Sequence, residues 1–419
     1  MSRIAALLFA LLAGCRTAPP GTIEFWAMGS EGELVRQLVP GFEALHPGSK
    51  VRVQQVPWSA AHEKLLTAYV GGVTPCAFQL GNTWVPELAA LDAIEPLDQR
   101  IAASSTVRRE DYFEGIFDTN VVGGTAYGVP WYVDTRLLFY RKDLAAQAGA
   151  ESAPANWHSW LAAMKRIKGS AGAERYAILL PLTEWQTPVI FGLQLGAALL
   201  RDDDRYGDFE SAAFRRAFGF YIELFRLGLA PMTGDASVGN LYQDFAAGFF
   251  AYYVTGPWNL GEFEKRLPPQ MASQWATAPM PAPTGDAPGA SLAGGASLAV
   301  FRNCEDKETA WRWIEYLSSP EKQVEFYRLT GDLPARRSAW QQADLVREPR
   351  TAAFWAQLHH VRSPPKVAEW ERIADKVSQY AEAAIRGHMS AEAALAALDR
   401  DVDQILEKRR WMLARRGDG

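Results

Sequence analysis

Between residues 22 and 100, short β-branched and aromatic runs alternate with segments of helical period, and that alternation is the tightest constraint on the fold. Strands separated by helices bury their apolar faces when they lie side by side under helical layers. The order therefore predicts a mainly parallel, doubly wound sheet. Residues 22–26 (TIEFW) read as a first strand, and the loop AMGSEG follows. A helix then starts with Ser30 as N-cap and Glu33 three residues on, the capping-box spacing. Leu34, Leu38, Phe42 and Leu45 give it one apolar face, and Pro40 inside it predicts a kink. Glu31 suits the helix dipole as a first-turn acid. It could equally project from the strand's carboxyl end into a cleft, where open α/β sheets bind ligands. Residues 51–56 form a second strand ended by Pro57-Trp58. The next helix carries His62, Leu65, Leu66 and Tyr69 and closes at Gly71-Gly72. Residues 77–80 form a third strand, broken by GNTW at 81–84.

The stretch YGVPWYVDTRLLFYRKDL (127–144) joins what precedes it to a second strand–helix series. Gly128 and Pro130 punctuate a turn, and Trp131, Tyr132 and Val133 favour an extended, half-buried strand. Asp134 is a single carboxylate among aromatics, costly to bury without hydrogen bonds. It either pairs with a nearby Arg or backbone N–H, or faces a cleft and accepts hydrogen bonds from a hydroxyl-rich ligand. Further on, Asn156 can cap a helix whose Trp157, Trp160, Leu161 and Met164 face one way. Residues 177–180 are a strand, and Thr183-Glu184-Trp185 opens an apolar helix expected to reach Leu200. Asp202-Asp203-Asp204 lacks the Gly and distal Glu of a calcium loop and reads as a solvated turn. Phe214, Phe218, Tyr221 and Phe225 mark an amphipathic helix, and 249–254 a strand before GPWN. The adjacent Tyr252 and Tyr253 could suggest an iron site, but strand neighbours point to opposite faces. The Pro- and Gly-rich run 278–289 reads as a crossover, 294–301 as a strand, and GDLPAR at 331–336 as a third break. The remainder is helical.

The first residues form a targeting segment: Arg3, then an apolar run over 4–14, then Leu12-Ala13-Gly14-Cys15. The run is too short for the ~20 residues that a ~30 Å hydrocarbon core demands. Small residues before a Cys resemble a bacterial lipobox, which implies lipidation at Cys15 and an exported, membrane-tethered protein. Only Cys76 and Cys304 remain after processing, with no CxxC or Cys/His ligand spacing. A bridge between them is possible, sequence cannot place their Cα atoms, and both read as structural. About 400 residues exceed what one core usually serves, so two domains are expected. A net charge of −5 with acids and bases interspersed argues against nucleic acid or an anionic membrane surface as partner. The 15 Trp, beside 14 Tyr and 20 Phe, are more than a core requires where they fall next to turns. Indole rings stack on the C–H faces of pyranoses.

The FW at Phe25, PW at Pro57, GNTW at Gly81, the crossover at Asp134, GPW at Gly256, GG before Ser297 and LPAR at Leu333 occur in the order and spacing of a known family. On these marks the chain resembles the family 1 extracellular solute-binding proteins, sugar-binding lipoproteins of bacterial ABC importers. Among them it looks most like binders of maltose, trehalose and related α-glucosides. The resemblance implies a two-lobe, periplasmic-binding-protein-like α/β fold of class II, joined by three crossovers. The signal segment would be 1–15. One lobe would hold 22–131 and 284–333, the other 136–279 and 338–419. It also implies sugar contacts from Glu31, Asn82, Tyr132, Asp134, Trp258, Gly295 and Arg362. Trp58, Trp84 and Trp185, beside turns, join them as candidate platforms. Departures are Asn82 where relatives carry Asp, Ala296 where some carry Trp, and Cys76 in place of an Asp. The implied function is non-catalytic capture of a sugar and delivery to permease subunits, by a monomer, with no cofactor, catalytic residue or metal. The alternatives are a secreted glycosidase using paired carboxylates and a binder of another small polar solute. Nucleophile-elbow, HExxH and P-loop patterns are missing from the sequence.

Overall fold

The computed structural model describes residues 21–172, 174–232 and 240–417. The targeting segment and Cys15 lie outside the described residues. The first strand, Thr22–Met28, shows at once why the chain needs two helical layers. Ile23, Phe25 and Ala27 enter one core, while Trp26 and Met28 enter another on the opposite face. With both faces covered, the strand reads as a nearly continuous apolar run.

Two main sheets form. The larger has six strands in the order Leu333–Pro334, Val129–Asp134, Gly294–Val300, Ala77–Gly81, Thr22–Met28, Lys50–Val56. The smaller has four: Trp275–Ala278, Leu137–Arg141, Tyr252–Thr255, Ile178–Leu179. The two-lobe α/β class is as expected, but the sheets are mixed rather than mainly parallel. Parallel pairing joins Thr22–Met28 to both Lys50–Val56 and Ala77–Gly81, and Tyr252–Thr255 to Ile178–Leu179. The strands next to the lobe connections, Val129–Asp134, Leu137–Arg141 and Gly294–Val300, pair antiparallel with their neighbours. A chain returning from the other lobe enters the sheet from its far end, which reverses its direction. Only Thr135 and Arg136 separate the last residue of Val129–Asp134 from the first of Leu137–Arg141.

Local differences from the sequence expectations have simple causes. The first helix begins at Gly29 after an uncapped Met28, so Ser30 is already inside it and forms no capping box. A capping box does form at Asn156 and Ser159. Pro40 produces a break rather than a bend: a 3₁₀ turn, Val35–Leu38, precedes a separate helix, Val39–Leu45. Pro there occupies the first turn, where its missing N–H costs nothing. The helix expected to reach Leu200 is Gln186–Gln194, because Gly196 takes φ +80° and Leu200–Arg201 turns into a short hairpin strand. Asp202 to Asp204 form that hairpin's turn, all with positive φ near 57°. Tyr252 and Tyr253 enter different cores, as alternation requires. Cys76 and Cys304 are joined, with their Cα atoms 4.6 Å apart. The strand register explains it, since Ala77 and Val300 are direct partners and the two cysteines lie just beyond the ends of that pairing.

Candidate functional site

The carboxyl end of Thr22–Met28 delivers Glu31 to the mouth between the sheets, where it is 8% exposed. Its Oε1 accepts hydrogen bonds from the Tyr132 hydroxyl at 2.9 Å and from Trp58 Nε1 at 3.4 Å. The Tyr132 hydroxyl in turn accepts from Gln79 Nε2 at 2.8 Å, and Gln79 Oε1 accepts from the Met28 N–H at 2.7 Å. A chain of buried hydrogen bonds thus runs from the sheet backbone to the carboxylate and fixes it. Burial first, then the charge on Glu31, push the Tyr132 phenol well above its usual value, so it acts as a donor.

Asp134 both pairs with an arginine and faces the cleft. It lines the cleft, and its Oδ1 accepts from Arg136 Nη1 at 2.8 Å. The Arg136 guanidinium lies 4.8 Å from the Trp258 ring centroid, linking the crossover to the second lobe by a cation–π contact. Gly294 and Gly295 run antiparallel to Asp134 and Val133. Gly295 has φ +142°, and a Cβ there would collide with the Tyr132 carbonyl, so only glycine fits. Gly256 is required differently, because a Cβ would enter the Trp258 ring.

Asn82 follows the third strand. Its Oδ1 accepts from Ser297 Oγ at 2.8 Å, and its buried Nδ2 has no partner among the described residues. Gln186 Oε1, on the opposite wall, is likewise buried and unpaired. Trp58 and Trp84 meet edge to face at 5.8 Å, and Trp185 meets Trp370 at 5.4 Å. Trp58 and Trp258 remain 38% and 39% exposed, unusual for such large apolar rings. Together these groups line a cavity of about 490 Å³, within the ~300–1,000 Å³ typical of small-molecule sites.

Nine of the ten residues expected from sequence line this cavity, and Arg362 does not. Arg362 is exposed on the short strand Val361–Arg362 and its Nη1 donates to the Leu193 carbonyl at 3.1 Å. Pro364, two residues on, lines the cavity instead. Sequence reasoning missed Arg136, Gln186 and Asp332 as lining groups, and Gln79 as the support of Tyr132. At the rim, His62 Nε2 lies 2.6 Å from Glu87 Oε2 and its ring 5.1 Å from Trp84. The Glu87 hydrogen bond holds the imidazole above its usual value against the effect of burial. Glu371, from the helix Trp370–Ile385, faces this pair, and burial raises its carboxyl while the Thr83 hydroxyl and His62 pull it down. Among the described residues, no group of three or more His, Cys, Asp or Glu is arranged to hold a metal ion. Buried oxygen acceptors, a donor amide and flat rings suit a neutral polyhydroxy ligand.

A family model of bacterial extracellular solute-binding proteins matches residues 28–324. The sugar-binding protein MalE from the phytopathogen Xanthomonas citri is 48% identical, with a TM-score of 0.90 over 94% of this chain and 99% of that one. The diacetylchitobiose-binding protein DasA of Streptomyces coelicolor is 24% identical over 380 residues, which cover 89% of this chain and 87% of DasA. The GacH receptor of Streptomyces glaucescens, solved unliganded and with acarbose, shares the fold at 23% identity and a TM-score of 0.80, over 93% of this chain and 99% of that one.

Proposed function

Because this chain belongs to the bacterial extracellular solute-binding proteins, we propose that it captures a sugar without catalysis and delivers it to the permease subunits of an ABC importer. The single observation behind this reading is the cleft. Fixed acceptors at Glu31 and Asp134, the Asn82 amide and the rings of Trp58, Trp84, Trp185 and Trp258 converge on one cavity. Acidic oxygens accept bonds from sugar hydroxyls, charge-assisted and therefore strong. The rings take the apolar faces. The sugar-binding name of the Xanthomonas relative supports a carbohydrate, and an α-glucoside such as maltose or trehalose is the ligand we assign.

The lobes divide near residues 131–136, 279–284 and 333–338, and close on the ligand by bending at these connections. Export fits the Cys76–Cys304 bridge, which persists in oxidising compartments. Anchoring is assigned to a lipid on Cys15, and no helix among the described residues is long and apolar enough to cross a membrane. The receptor is taken to act as a monomer.

A thermal-shift screen with maltose, trehalose, maltotriose and diacetylchitobiose tests the reading. A sugar at 100 times its Kd should stabilise the protein by ~2.7 kcal/mol. No shift with any of them would overturn it. The same sugars, incubated with pure protein, should be recovered unchanged, and steady release of glucose would instead favour a glycosidase.

A further inference from the structure

Three carboxyl groups, Glu31, Asp134 and Asp332, line the cleft with one basic group, Arg136, among the described residues. Their surroundings differ. Tyr132 and Trp58 donate to Glu31, and Arg136 is spent on Asp134. Asp332 is 8% exposed, and its backbone N–H bonds the Thr330 hydroxyl at 3.0 Å. The strand Leu333–Pro334 runs antiparallel to Val129–Asp134 with Leu333 opposite Val133. Continuing that register by one residue sets Asp332 across from Asp134. Like charges directly opposite on neighbouring strands repel, and burying a carboxylate without a cation costs more again. A proton on one of the group removes both penalties.

Building on the sugar-binding reading, we infer that Asp332 is the neutral acid of this cleft. Its carboxyl O–H donates a hydrogen bond to an acceptor oxygen of the bound sugar, and the residue thereby selects for ligands that bring an acceptor to that point. The charges facing it from every side agree. Burial, then Glu31 from the first helix, then Asp134 across the strand pair push its carboxyl up, against the Thr330 hydroxyl, to about 8. Tyr132 beside them stays protonated, and Arg136 is held by Asp134. The sign follows. Below about pH 8 Asp332 is a neutral donor. Above it the donor is lost and a third negative charge joins Glu31 and Asp134, so affinity falls as pH rises.

Maltose and trehalose are titrated calorimetrically into wild type, Asp332→Asn and Asp332→Leu from about pH 6 to about pH 9.5, a window bracketing the raised carboxyl far above the ordinary ~3.9 of Asp. Wild-type affinity should hold at the acid end and fall roughly tenfold by the alkaline end. Asp332→Asn, a neutral donor of the same shape, should keep the acid-end affinity and flatten the profile. Asp332→Leu should lose about tenfold throughout. Should Asp332→Leu fail to fold, the contrast between wild type and Asp332→Asn carries the test alone. Sugar binding with a flat wild-type profile, or an Asp332→Asn variant as weak as Asp332→Leu, overturns the role of Asp332 and leaves the sugar reading standing. Wild type that binds neither sugar, nor any in the thermal-shift panel, at any pH overturns both.

Discussion

The two lobes share the rings of the cleft but not its acids: Trp58 and Trp84 stand with the larger sheet, Trp185 and Trp258 with the smaller, while all three carboxyl groups belong to the larger. The larger sheet supplies Glu31, Asn82, Tyr132, Asp134 and Asp332, nearly all buried, with Tyr132 donating to Glu31, Ser297 to Asn82 and Arg136 to Asp134. Its strands Ala77–Gly81 and Gly294–Val300 are further tied by the Cys76–Cys304 bridge. The smaller lobe supplies Trp185, Gln186, Pro257 and Trp258, of which Trp258 is well exposed. Polar recognition needs oxygens held to a fraction of an ångström, because a misaligned hydrogen bond weakens steeply. A stacking ring tolerates sliding. The lobe with the stricter geometric task is also the one that is stapled.

The largest expected effect probes the staple. Cys304→Ser should cost ~2–5 kcal/mol of stability, since the bridge closes a very long loop, while maltose affinity at a temperature well below melting stays close to wild type. Differential scanning calorimetry with and without reductant measures the first quantity and titration the second. Equal melting of mutant and wild type would mean that the larger lobe is rigid without its bridge.

Next comes the polar wall. Asp134→Ala removes charge-assisted hydrogen bonds worth ~1.5–3 kcal/mol, or roughly 10- to 150-fold in affinity. The melting point of the empty protein should move far less. Native affinity would reduce Asp134 to a structural partner of Arg136.

The aromatic lip should be more forgiving. Trp258→Ala should weaken sugar binding by about 3- to 10-fold, and Trp258→Phe by less, because a phenyl ring keeps most of the platform. If both substitutions cost as much as Asp134→Ala, the division of labour between the lobes fails.

The smallest effect concerns the rim. His62 has a folded-state value raised chiefly by its bond to Glu87, so its contribution to stability is complete below its unfolded value of about 6.5 and fades as pH rises through the folded one. His62→Ala should therefore lower the melting temperature at mildly acid pH and do little in alkali, with at most ~1 kcal/mol at stake for such a pair. A loss that grows with pH would contradict the assignment.

Much of this was legible in the sequence for physical reasons. The strand at Thr22–Met28 announced itself because alternate residues enter separate cores. Glu31 and Asp134 stood out because they sit at strand ends, where turn chemistry marks the sequence, whereas Asn82 came from the family resemblance alone. Asp332 did not stand out, because what makes it unusual is its neighbour across a strand pair some two hundred positions away in the chain. The bridge between Cys76 and Cys304 was illegible on the same ground, being set by register at a separation of 228 residues. Arg362 stands apart from the cavity because its guanidinium is engaged with the Leu193 carbonyl, a partner 169 positions away that no local pattern signals, and the segment reaches the cavity only at Pro364.

The two-residue passage from Asp134 to Leu137 has a consequence for how such a receptor can diversify. Thr135 and Arg136 leave about four soft dihedrals at this connection, and the same few residues hold Asp134 and reach Trp258. Under the proposed closure, ligand preference and lobe movement therefore share a part. A lineage changing its diet by mutation here would also alter how far the lobes swing.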